Sequence, residues 1–141
     1  MWKKIYPPLI FVLLFPIGAS FAQEKGNKKT FKIGVTQFVS SESSENDQSG
    51  FEKALAEAGF KEKVHVFYDR QNARGDLVQA EAIARKYLIE KFDLIHTIAT
   101  PTSQAVVRII KDIPIVFSSV VDPVQDGLVP KTSLPGTRSR T

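Results

Sequence analysis

Four short apolar runs take turns with three amphipathic ones between Phe31 and Pro123, and this alternation limits the possible folds more than any other feature of the chain. "FKIGVTQFV" (31–39) is rich in β-branched and aromatic residues and runs into a serine-rich segment, the pattern of a buried strand followed by a loop. "NDQSGFEKALAEAGF" (46–60) sets Phe51, Ala54, Leu55 and Ala58 on one helical face, with Gly59 where a left-handed helix stop belongs. "KVHVFYD" (63–69) reads as a second strand and "RQNARG" (70–75) as a turn. Asp76 and Gln79 then have the spacing of a capping box, ahead of a helix whose apolar stripe is Ala80, Ile83, Ala84, Tyr87 and Leu88. "FDLIHTIAT" (92–100) predicts a third strand, and "TSQAVVRIIK" (102–111) a third helix with Ala105, Val106, Ile109 and Ile110 on one side. "IPIVFSSVVDP" (113–123) predicts a fourth strand that ends at Asp122-Pro123.

The order βαβαβαβ implies helical crossovers, hence parallel strands, right-handed connections and helices on both faces. Near-continuous apolar strands agree, because a parallel strand is covered on both sides. The expected fold class is α/β, an open, mostly parallel, doubly wound sheet.

The amino end reads differently. "MWKKIYPPLIFVLLFPIGASFA" carries two lysines, an apolar stretch from Pro8 to Ile17 and small residues at Ser20 and Ala22. That is the layout of a secretory signal peptide, residues 1–22, cleaved after Ala22. A membrane-spanning helix fits worse, since the run is short and holds Pro7, Pro8 and Pro16. Residues 23–29 form a polar, disordered leader, 30–128 the α/β lobe, and 129–141 an irregular tail. With no cysteine, neither a disulfide scaffold nor a lipid-anchored mature terminus is expected, so the lobe must fold on its hydrophobic core. Removing Lys3 and Lys4 with the signal leaves 17 basic against 15 acidic residues. Lys25, Lys28, Lys29 and Lys32 cluster at the mature amino end without forming a basic face, so no nucleic-acid partner is expected.

In open parallel sheets, ligands bind outside the carboxyl ends of the strands, where the strand order reverses. After the first strand that rule selects Thr36, Gln37 and the Ser40–Ser44 loop; after the third, Thr100, Thr102 and Ser103; after the fourth, Ser118, Ser119 and Asp122. If Thr100 is the N-cap of the third helix, Pro101 occupies the first helical position, where a missing N–H is harmless. The N–H groups and hydroxyls of Thr102 and Ser103 then suit a carboxylate or phosphate, although ordinary capping explains the same residues. Asp122 suits either a ligand ammonium group or the opening of a turn before Pro123. His65 and His96 sit inside predicted strands without an acidic or cysteine cluster, as core or edge residues do. No nucleophile elbow, Walker loop, dinucleotide fingerprint or metal-spaced cluster occurs, so neither an enzyme, a cofactor nor a metal is expected.

The series "IGVTQFV", "GFEKALAEAGF", "VFYDRQNARGD", "AEAIARKYL", "DLIHTIATPTSQAV" and "DIPIVFSSVVDPVQDGLV" resembles ABC-transporter substrate-binding proteins of the tryptophan/tyrosine-binding type across Phe31 to Leu134. The most specific parts are Gln-Asn-Ala-x-Gly-Asp, Ala-Thr-Pro-x-x-Gln and Pro-Ile-Val-Phe-x-x-Val-x-Asp-Pro. The resemblance implies one lobe of a type I periplasmic-binding-protein-like fold, which holds a small ligand, often an amino acid, and delivers it to a membrane permease. It places Thr36 and Gln37 in a cleft, gives the ligand carboxylate to Thr100, Thr102 and Ser103, and completes the wall with Ser119 and Asp122. The expected function is thus the extracytoplasmic solute-binding component of an ABC importer, without enzymatic activity. Relatives of this type are longer and continue Asn-Val-Thr-Gly where this chain reads "TRSRT", the kind of ending a truncated or frameshifted gene produces. The competing readings are a small exported α/β protein that binds a protein partner, and a non-functional remnant.

Overall fold

A computed structural model describes residues 29–130; the signal segment, the leader before Lys29 and residues 131–141 lie outside the described residues. The elements run β1 (Phe31–Gln37), α1 (Glu42–Glu57), β2 (Val66–Asn72), α2 (Leu77–Ile89), β3 (Leu94–Ile98), α3 (Thr100–Ile109) and β4 (Ile115–Ser118). All three strand pairings are parallel, and the spatial order is β2-β1-β3-β4. The α/β fold class expected from the alternation is therefore the one observed.

Strand side chains divide between the faces with period two. Ile33 and Val35 of β1, Val66 and Tyr68 of β2 and Ile98 of β3 pack with Phe51 and Leu55 of α1. Ile95 of β3 faces the other way and joins Ala80, Ile83, Ala84 and Tyr87 of α2 with Ala105, Val106 and Ile110 of α3. One helix on one face and two on the other is what right-handed crossovers give when the chain steps from β1 to β2 and then back to β3. Each large apolar side chain buried here contributes roughly 1.5–3 kcal/mol. The α2 ring of Tyr87 is fully buried against Gly34, and its hydroxyl reaches the carbonyls of Val35 at 3.0 Å and Asp69 at 2.9 Å.

Element ends differ from expectation in informative ways. The serine-rich stretch is not a loop, because Ser41 caps α1. Its hydroxyl accepts the Ser44 N–H at 3.1 Å, and the Ser44 hydroxyl accepts the Ser41 N–H at 2.9 Å. This reciprocal box starts the helix at Glu42, four residues before the segment expected to be helical, which begins at Asn46. At the other end Gly59, at φ 95°, accepts the left-handed stop. Its N–H bonds Ala56 O and the Phe60 N–H bonds Leu55 O, the paired closure of a Schellman motif. β2 begins later than expected, since residues 61–65 turn around the Lys61 carbonyl, and it continues through Gln71 and Asn72 because these pair with Thr36 and Gln37. α2 starts after Asp76, whose carboxylate takes the N–H groups of Val78 and Gln79. β4 is four residues long, and Ser119 leaves the sheet at φ 53°.

Candidate functional site

The chain steps from β1 outward to β2 and then returns to β3 on the other side of β1, so the order reverses between β1 and β3. Helices leave the two strands on opposite faces there, which opens a crevice at their carboxyl ends.

On the β1 side, Gln37 is 6% exposed and points to the α1 face. Its Nε2 donates to Gln48 Oε1 at 2.8 Å and lies 3.5 Å from Ser44 O. Asn72, next door on β2, donates to Ser40 Oγ at 2.8 Å and to Gln37 Oε1 at 3.4 Å. A polar groove of about 370 Å3 runs between Gln37, Ser40, Glu45, Gln48 and Asn72. Arg70 flanks this groove but is already committed: its guanidinium makes two hydrogen bonds to Glu52, both 2.8 Å, and two to Glu62, at 2.9 and 3.1 Å. Those carboxylates raise the arginine pKa, and the arginine in turn lowers that of Glu62. An anion arriving at the crevice therefore meets a neutralised arginine rather than a free cation.

On the β3 side, α3 begins one residue earlier than expected. Ala99, not Thr100, occupies the N-cap position, no side chain caps the helix, and Pro101 falls in its first turn. Thr100 Oγ1 instead donates to Asp126 Oδ2 at 3.3 Å, while Gln104 Nε2 donates to the Asp126 carbonyl at 3.1 Å. These bonds hold the turn after β4 against α3.

At the β4 end, Ser119 Oγ donates to Asp47 Oδ2 at 2.5 Å, tying the start of α1 to the segment after β4. Asp122 Oδ1 accepts the N–H groups of Val124 and Gln125 at 3.1 and 2.9 Å, so it opens the turn at Pro123. Directly behind this wall, His96 places Nε2 at 3.0 Å from Ser118 Oγ and stacks on Phe51 with ring centroids 4.2 Å apart. Burial pushes its pKa down to about 4, against the pull of Asp47 and Glu52, so the ring is neutral near pH 7.

Of the seven residues that the resemblance assigns to the cleft, Gln37, Thr100, Ser119 and Asp122 lie along the carboxyl edge. The other three do not present their side chains there. Thr36 is 1% exposed inside the sheet, and its Oγ1 has no hydrogen-bond partner among the described residues. The outward-facing hydroxyls expected of Thr102 and Ser103 are corrected: both residues are fully buried and their hydroxyls donate inward. Thr102 Oγ1 reaches Ile98 O at 2.6 Å and Ala99 O at 3.0 Å, and Ser103 Oγ reaches Ala99 O at 2.9 Å. Helical back-bonding to the preceding turn wins over presentation to solvent. Sequence reasoning missed Asp47, Gln48 and His96. The first two lie inside the helix expected over 46–60, and the strand-end rule selects strand ends and the loops after them, not the helix that follows; for His96, a histidine within an apolar strand gives no sign of its Ser118 partner.

An apolar groove of about 420 Å3, with Phe31, Leu55, Phe60 and Leu94 in its walls, lies at the opposite, amino end of the sheet. It is remote from the strand-order reversal.

The sequence pattern of the family described as "ABC transporter substrate binding protein" matches residues 32–139. A tyrosine-binding protein from Clostridioides difficile (strain R20291) is 41% identical over 110 residues, covering 78% of this chain and 32% of the relative. Among solved structures, the ligand-free, open form of a substrate-binding protein with adhesive properties from Clostridium difficile superposes with a TM-score of 0.70 at 42% identity. The alignment covers 72% of this chain and 34% of that one. The ABC domain from Streptococcus pneumonia in complex with L-Trp gives a TM-score of 0.68 at 34% identity, again over 72% of this chain and 34% of that one. The chain thus spans about a third of the length of the relatives it matches. With a family pattern matched over most of its length and a fold shared at this level of identity, the chain belongs to the ABC transporter substrate-binding protein family.

Proposed function

We propose that this chain forms the ligand-binding lobe of an extracytoplasmic solute-binding component of an ABC importer. Its ligand is an amino acid, an aromatic one, held at the carboxyl edge of β1 and β3. The observation that carries this reading is the reversal of strand order between β1 and β3, which puts Gln37 and the first turn of α3 on two walls of one crevice. The relatives supply the ligand class: one is a tyrosine-binding protein and another is solved with L-Trp.

Each end of an amino acid finds a matching group. The first-turn N–H groups of α3 have no intrahelical acceptor and lie at the positive end of the helix, so they receive the carboxylate. Arg70, bound to Glu52 and Glu62, does not compete for it. Asp47 and Asp122 are the carboxylates placed for the ammonium group, with the side-chain oxygens of Gln37 and Ser119 as uncharged acceptors between them. Thr36, Thr102 and Ser103 act from behind the wall. In this reading residues 1–22 are an export signal, a further lobe of the longer relatives closes over the ligand, and a membrane permease receives it.

A ligand present at a hundred times its dissociation constant stabilises the folded state by about 2.7 kcal/mol, roughly 10 °C or more in a domain of this size. A thermal-unfolding screen of the purified chain should show such a rise with L-tryptophan or L-tyrosine. Asp122→Asn should reduce it and His65→Ala should preserve it. No rise with any aromatic or branched amino acid would sink the proposal.

A further inference from the structure

Ala99 has φ 80° and ψ 151°, a backbone region that belongs almost entirely to glycine. The other four non-glycine residues with positive φ (Lys63, Arg74, Lys91 and Ser119) lie between 53° and 63°, closer to the ordinary left-handed well. Something must hold an alanine there. Its N–H donates to Ser118 O at 3.0 Å. Its carbonyl receives the Ser103 N–H at 3.2 Å and Ser103 Oγ at 2.9 Å, while Thr102 Oγ1 donates to the carbonyl just before it, Ile98 O at 2.6 Å, and lies 3.0 Å from Ala99 O. Because Ser103 gives its proton to Ala99 O, the 2.8 Å contact with Thr97 must run the other way, with Thr97 Oγ1 donating to Ser103 Oγ. Capping does not account for this arrangement, since a cap satisfies N–H groups and these hydroxyls donate to the two carbonyls that flank Ala99. Packing does not account for it either, since valine and alanine would fill the same buried volume without polar atoms to satisfy.

We infer that Thr102 and Ser103 are positioning residues: by pinning the carbonyls on either side of Ala99, Ile98 O and Ala99 O, they hold a strained residue, and its conformation sets the direction in which α3 presents its first-turn N–H groups to the crevice. The consequence for the ligand rests on the amino-acid reading above; the consequence for the backbone does not. The device explains why a hydroxyl pair stands fully buried at a helix start that has no side-chain cap.

The test is a rescue experiment. Glycine adopts the Ala99 conformation without strain, so it should make the hydroxyls dispensable. Amide hydrogen exchange at Thr102, Ser103 and Gln104 is read in the chain, in Ser103→Ala, in Thr102→Val, and in each combined with Ala99→Gly. Each single variant should speed exchange there by about tenfold, and adding Ala99→Gly should restore it to within about threefold. L-tryptophan affinity by calorimetry should follow the same order, weakening about tenfold and recovering on addition of Ala99→Gly. Ordinary back-bonding in a helix predicts no rescue, because the lost hydroxyl bonds stay lost. Unchanged exchange in both single variants, or faster exchange that Ala99→Gly fails to restore, overturns the inference. Rescue of exchange in a chain that binds no L-tryptophan upholds the backbone role and refutes the ligand assignment instead.

Discussion

Replacing Gly34 by alanine should destabilise the lobe through a single identifiable contact. A methyl group on Gly34 would stand 2.7, 2.8 and 2.9 Å from Cε2, Cζ and Cδ2 of Tyr87, closer than carbon atoms approach in folded proteins. The ring has nowhere to retreat, because it is fully buried and its hydroxyl is tied to the carbonyls of Val35 and Asp69 across β1 and β2. Overpacking of this kind costs about 1–3 kcal/mol. Displacing the hydroxyl from its acceptors adds about 1 kcal/mol. The sum, about 2–4 kcal/mol, is a large share of the roughly 5–15 kcal/mol that stabilises a typical domain. Urea unfolding of Gly34→Ala, Tyr87→Leu and the double variant measures it. Leucine lacks the two nearest ring atoms, so the alanine should cost less in that background, with a coupling of about 1 kcal/mol or more. Equal cost in both backgrounds would refute the claim that the Tyr87 ring is what excludes a side chain at position 34.

Stability should also depend on pH through His96. Its folded pKa of about 4 lies below the ordinary value of 6.5, so between those values the unfolded chain binds a proton that the folded chain refuses. Stability therefore falls as the pH drops through that window, by on the order of 2 kcal/mol between pH 7 and 5, and this group adds nothing further below pH 4. His96→Gln should flatten the urea midpoint between pH 7 and 5; an unchanged slope would show that other groups carry it. Ser41→Ala removes half of the capping box of α1 and should cost about 1 kcal/mol, whereas a loss within error would mean that the Ser44 side of the box suffices.

What could be read from the sequence was what burial dictates. Ala80, Ile83, Ala84 and Tyr87 recur at helical spacing because one face of α2 lies on the sheet, and all four are buried. Leu88, the fifth member of that stripe, is 40% exposed, since the face narrows where the helix leaves the sheet. The polar segment "RQN" gave no sign of joining β2, because ladder hydrogen bonds to β1 use the backbone and leave no mark on side-chain type. The run of serines before α1 was ambiguous for a related reason: serine serves loops and caps equally well, and only the Ser41–Ser44 pair decides.

The candidate site divides along the same line. Gln37 and Ser119 follow from the strand-end rule, which needs only the position of each strand's last residues. Asp47 and Gln48 lie within the expected helix, where a polar residue reads as solvated surface, and only the packing of α1 beside the end of β1 turns them toward the crevice. Nothing in the sequence marks Ala99, because alanine ordinarily avoids the conformation it adopts. The hydroxyls beside it were visible, but the direction of their hydrogen bonds was not.

Whether this lobe meets an aromatic amino acid at the crevice between β1 and β3 is read from backbone amide chemical shifts during an L-tryptophan titration. Perturbations are predicted at Gln37 to Ser40, Ala99 to Thr102 and Ser118 to Asp122. Shifts confined to Phe31, Phe60 and Leu94, around the apolar groove at the amino end of the sheet, would rule out binding at the crevice, as would a spectrum that does not change.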